Sequence, residues 1–166
     1  FDYFQGSFKK TFKRGCMSEN TEMIIHVAKD ECLYAIIVKA SFKADGINFL
    51  TPNEFSQQLA IMYHPTGKII QPHVHNPVVR EVHFTKEVLF IKSGKVRVDF
   101  YDEEQNYFES RILERGDVIL LSFGGHGFVM LEESEMIEVK QGPYAGDADK
   151  TRFQHVDDHK VKIVGL

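Results

Sequence analysis

His73 and His75 are separated by one residue, so on an extended strand both imidazoles leave the same face, with Cα atoms about 7 Å apart. They can share one ligand. In a chain with eight histidines an isolated His-x-His pair is weak evidence by itself. Glu87 adds to it, because it opens the apolar run Val88-Leu89-Phe90-Ile91, and a carboxylate entering a core is costly unless it is paired or metal-bound. Neutral imidazoles with one carboxylate suit zinc, iron, nickel or manganese and leave positions open for water or substrate. The two cysteines, Cys16 and Cys32, cannot build a four-thiolate zinc site or a disulfide framework, and they read as reduced thiols of a cytoplasmic protein.

These side chains need short strands to hold them. From Thr21 onward the chain is a series of β-rich runs broken by Gly, Pro, Asn and Asp, and strands are predicted over 23–27, 33–40, 58–63, 68–75, 87–92, 95–101, 107–113, 117–122, 127–131 and 135–140. Lys95-Val96-Arg97-Val98-Asp99-Phe100 alternates strictly, the pattern of a strand with one face in a core. Ser93-Gly94 sits where a hairpin needs a residue tolerant of positive φ. A short helical turn is expected at 53–57, after Thr51-Pro52. The fourteen Phe and twelve Gly suit such a fold, and so many short strands predict a sandwich or barrel, not a βαβ sheet.

With 166 residues there is room for one core and not two. A net charge of −4 argues against a nucleic-acid partner, and no apolar run approaches the ~20 residues of a membrane helix. Tyr3-Phe4-Gln5-Gly6-Ser7 resembles the recognition site of a tag-removing protease, so residues 1–16 are expected to be a vector remnant, with Met17 as the natural start. Without them the net charge becomes −7. The alternative is a native basic arm.

The wider spacing around the histidines resembles the cupin superfamily. Gly67, five residues, His73-Val74-His75, then Glu87, six residues and Gly94 match the outer spacings of the first cupin motif. Gly116 with Gly124-Gly125-His126 resembles the second. Three departures stand out: a long gap from His75 to Glu87, Ser122 where proline is usual, and Met130 or a neighbour where asparagine is frequent. The resemblance implies an all-β double-stranded β-helix (jelly-roll) barrel over residues 58–140, with an N-terminal β extension at 17–57 and a C-terminal tail at 141–166. It further implies one divalent transition metal (Zn, Fe, Ni or Mn) held by His73, His75, Glu87 and His126. Glu81 is the competing carboxylate, but only Glu87 opens an apolar strand six residues before a glycine.

The insertion 76–86 lies between two implied ligands, so its ends must return to the metal site, which puts Arg80, Glu81 and His83 at the pocket rim. There a guanidinium could clamp a carboxylate or phosphate, and an acid or imidazole could move protons. The competing reading is a long hairpin that packs on a second subunit. His64 reads as a turn residue, His26 as a strand-surface residue, and His155 and His159 as solvated. The tail could fold across the mouth, with Tyr144 as a pocket candidate, or project freely.

The pattern is similar to small single-domain bacterial cupins of unsettled activity, relatives of which are often encoded among genes for cell-surface polysaccharide and nucleotide-sugar synthesis. The expectation is a metal-dependent enzyme, isomerase/epimerase-like or oxygenase-like, acting on a small polar molecule with carbohydrate derivatives among the candidates. A non-catalytic sugar- or effector-binding cupin and a purely structural barrel are the alternatives. A homodimer is expected.

Overall fold

The computed structural model describes residues 23–143 and 145–165; the proposed vector remnant, Met17 and Tyr144 lie outside them. Ten strands form: β1 (Ile24–Lys29), β2 (Cys32–Val38), β3 (Gly46–Phe49), β4 (Ala60–Tyr63), β5 (Glu87–Ser93), β6 (Lys95–Tyr101), β7 (Tyr107–Glu114), β8 (Val118–Leu121), β9 (Gly125–Met130) and β10 (Glu135–Lys140). Short 3-10 turns follow at Gly146–Asp149 and Asp158–Lys160. The described residues contain no α-helix, and no helix among them is long and apolar enough to cross a membrane.

All strand pairings within the three sheets are antiparallel. The largest sheet runs β1-β2-β8-β5-β10, the second β7-β6-β9, and β3-β4 is a separate hairpin. Alternation explains how they pack. Leu89 and Ile91 of β5 meet Val96, Val98 and Phe100 of β6 and Leu113 of β7 in one buried cluster, so the two main sheets face each other across it. Ile36, Val38 and Leu120 leave the opposite face of the large sheet and are covered by Phe42, Leu50, Phe55, Leu59 and Ile61. β2, buried on both faces from Tyr34 to Val38, is therefore an almost continuous apolar run. The N-terminal strands belong to the main sheet itself, through β2 beside β8.

The Ser93-Gly94 hairpin forms as expected, with Gly94 at φ 81°. A Cβ there would run into the Glu133 carbonyl oxygen and Ser134, so only glycine fits both the turn and its neighbour. At the opposite edge of the large sheet, Lys29 Nζ donates to Asp102 Oδ2 at 2.7 Å and Asn106 N donates to Asp102 Oδ1 at 2.8 Å, tying the β1-β2 hairpin to the β6-β7 turn. The Lys29 hydrogen bond, helped by those from Asn106, lowers the Asp102 pKa from 3.8 to about 2. A carboxyl depressed in the folded state stabilises above its unfolded pKa and loses that contribution as pH falls through the folded one. Asp102→Asn should therefore flatten the decline of stability between about pH 4 and pH 2, read from urea midpoints at several pH values.

Two expectations fail locally. No strand forms over 68–75: residues 64–86 carry no regular structure, and residues 65–85 are exposed throughout. Pro65, Pro72 and Pro77 remove backbone donors there, and no strand pairs with the segment. The helical turn expected at 53–57 is shortened to one hydrogen-bonded turn at 53–54, closed by Phe55 N donating to Pro52 O at 3.1 Å. β3 falls outside the predicted strands; at four residues it is short, and it forms because Ile47 and Asn48 pair with Met62 and Ile61 of β4.

Candidate functional site

Glu87 begins β5 on the same alternating face as Leu89 and Ile91, so its side chain points between the sheets at one end of the core. His126 lies on β9 directly opposite Phe100, a core residue, and so turns inward from the second sheet. The two meet. His126 Nε2 donates to Glu87 Oε2 at 3.1 Å, with side chains 27% and 14% exposed. That hydrogen bond holds the Glu87 carboxyl below the ordinary range against the opposing effect of burial, with the charges of Lys140 and Lys150 acting in the same direction as the bond. Phe128 packs edge-on against the His126 ring at 5.4 Å. The carboxylate that breaks the apolar run thus has its partner.

His73 and His75 also sit together, their rings 5.2 Å apart, but on the exposed segment that forms no strand. His73 Nδ1 donates to Gln71 O at 2.9 Å. The four implied ligands therefore stand as two pairs, and among the described residues no group of three or more His, Cys, Asp or Glu is gathered as a metal site. Each pair is chemically suited to a divalent transition metal: an ionised carboxylate with an imidazole, and two imidazoles open to solvent.

The end of the insertion, next to Glu87 in the chain, packs against the segment that follows β10. Lys86 N donates to Gln141 Oε1 at 2.6 Å, Thr85 Oγ1 donates to Asp149 Oδ1 at 3.1 Å, and Gln141 Nε2 donates to Gln57 Oε1 at 2.7 Å. These contacts fold the Gly/Pro-rich bend after β10 against residues 82–86. Between them lies a cavity of about 240 Å³ lined by His83, Phe84, Thr85, Gln141, Pro143 and Asp149 among others. His83 Nε2 and Glu81 Oε1 are 3.4 Å apart, both largely exposed, and Arg80 is exposed beside them. His83 therefore lines the cavity, whereas Arg80 and Glu81 lie on the solvent side.

Lys140, at the end of β10, stands across from Glu87 in register and had no place in the sequence reading. Its ammonium lies 3.7 Å from Glu87 Oε1 and 3.2 Å from Glu138 Oε1. The period-two alternation of β10 points the other way, because Ile137 and Val139 read as its core face yet are exposed, and only the register puts Lys140 against Glu87. Farther along, the tail does not hang free: Phe153 packs edge-on to Tyr101 at 5.0 Å, and Val156 N donates to the Tyr101 hydroxyl at 2.9 Å.

Comparison of the chain with family models, with curated proteins and with solved structures finds no match.

Proposed function

We propose that this chain is a metal-binding cupin of jelly-roll type that acts on a small polar molecule. The observation that carries the reading is the meeting of Glu87 and His126. They are 39 residues apart, were singled out by two separate stretches of sequence, and arrive from facing sheets at 3.1 Å at one end of an apolar sandwich. The fold finding beneath it is coarser, antiparallel sheets packed face to face. The jelly-roll form rests on the motif resemblance, since no strand forms over 68–75.

In this reading His73, His75, Glu87 and His126 would hold one divalent transition metal. Such an ion supplies Lewis-acid polarisation of a carbonyl or hydroxyl oxygen, or oxygen chemistry if it is iron. The chain's own groups have distinct tasks. Glu87 stays ionised and offers an oxygen, and His126 is oriented by its bond to that carboxylate. His83, on the cavity wall and 3.4 Å from Glu81, would pass a proton between substrate and solvent. Arg80 offers a guanidinium to a carboxylate or phosphate at the rim. A small-molecule ligand and a homodimer belong to the same proposal, with carbohydrate derivatives among the substrate candidates.

The test is elemental analysis of anaerobically purified protein. Close to one transition metal per chain is expected, iron pointing to oxygen chemistry and zinc to Lewis-acid chemistry. Glu87→Gln should lower metal retention by about tenfold or more, and Glu81→Gln should leave it nearly unchanged. The reverse ranking would move the carboxylate ligand into the insertion. Folded protein that takes up no metal would overturn the proposal and leave the non-catalytic binding module in its place.

A further inference from the structure

Lys140 faces the interior of the sandwich because it pairs directly with Glu87, and directly opposed residues of an antiparallel ladder share a face. Its side chain is only 20% exposed. The ammonium sits between two carboxylates, 3.7 Å from Glu87 Oε1 and 3.2 Å from Glu138 Oε1, while His126 holds the other Glu87 oxygen. Asp149 acts on Lys140 and Lys150 acts on Glu87 from the tail, so the charged groups around the pair include Glu138, Asp149 and Lys150 beside His126. Glu87 therefore already shares a cation that the chain itself provides.

A divalent ion drawn to the same carboxylate would meet that ammonium as a like charge in a partly desolvated place, where such repulsion is weakly screened. Lys140 is fixed to the last position of a paired strand and cannot withdraw its backbone. We propose that Lys140 is a built-in competitor for the Glu87 carboxylate, which loosens metal binding at the Glu87–His126 pair and makes it exchangeable. This rests on the metal-binding reading above, and it adds a residue that sets the affinity of the site without being a ligand. Removing its charge should tighten the site, whereas removing a ligand loosens it.

Competition titration of zinc against a chromophoric chelator separates the cases. Lys140→Met and Lys140→Gln should each bind zinc at least about tenfold more tightly than the native chain, and Lys140→Arg, which keeps the charge, should stay within about threefold of it. Glu87→Gln/Lys140→Met should lose the gain, which ties it to Glu87. Both neutral variants are checked for the native thermal midpoint, and either one that folds suffices. Native and neutral variants binding zinc equally, or the variants binding it less tightly, would overturn the competitor role while leaving the metal site standing. Uptake by the neutral variants alone would support a strong form of the role. No uptake by any of them would overturn both readings.

Discussion

His73→Ala/His75→Ala is expected to take the metal content from about one per chain to below about one tenth, with no loss of folding stability beyond about 0.5 kcal/mol when both proteins are compared metal-free. Both halves follow from where the side chains sit. Two of the four proposed ligands disappear together, and an imidazole cannot be replaced by a methyl group as a donor. Yet both histidines lie on a segment that is exposed throughout and contributes nothing to either buried cluster. The same substitution at His126 would disturb the bond to Glu87 inside the sandwich and confuse the two effects. Linkage sharpens the measurement: a ligand at a hundred times its dissociation constant adds about 2.7 kcal/mol to folding. Added zinc should thus raise the thermal midpoint of the native chain and leave that of the double variant where it was. Metal retained by the double variant would show that the 73–75 pair is not part of the site.

How much of this was legible in the sequence depends on the range of the interaction. β6 and β10 occur at the bounds that alternation predicts, and the Ser93-Gly94 turn lies where a positive-φ residue is needed, because both signals are local. Glu87 stood out for a local reason too, a carboxylate at the head of an apolar run. The segment 68–75 shows where local signals stop. Its His-Val-His alternation reads as a strand, but a strand exists only when its backbone groups find a partner, and Pro72 within it removes one of the donors it could offer. Lys140 shows the same limit from the other side: its facing partner is fixed by ladder register, which no stretch of β10 alone contains. Arg97 and Asp99 are the sharpest case. Alternation assigns them to the solvent face of β6, yet they are 7% and 1% exposed, because the C-terminal tail lies over them.

That covering leads to the largest stability effect expected in the molecule. Asp99→Ala should lower the unfolding free energy by about 3–5 kcal/mol in a denaturant titration, the range for breaking a buried ion pair by removing one partner. Arg97 holds Asp99 with two parallel bonds, Nε to Oδ1 at 2.8 Å and Nη2 to Oδ2 at 3.1 Å, and Ser110 Oγ donates to Oδ1 at 2.5 Å. Without the carboxylate the guanidinium remains buried with Asp158 at 3.4 Å, and that aspartate is largely in solvent. The same small cluster anchors the tail. Tyr107 and Ser110 share a hydroxyl–hydroxyl bond at 2.8 Å, Lys162 N donates to the Tyr107 hydroxyl at 2.7 Å, and Ser110 N donates to Lys162 O at 2.8 Å. Amide exchange at residues 162–164 should therefore accelerate in the variant along with the loss of stability. Arg97→Met/Asp99→Leu provides the decisive contrast. An apolar pair of similar volume leaves no uncompensated charge, so it should recover most of the loss. A double variant as unstable as Asp99→Ala would mean that the tail's grip depends on the carboxylate as a hydrogen-bond acceptor for Ser110, and not on the balance of buried charge.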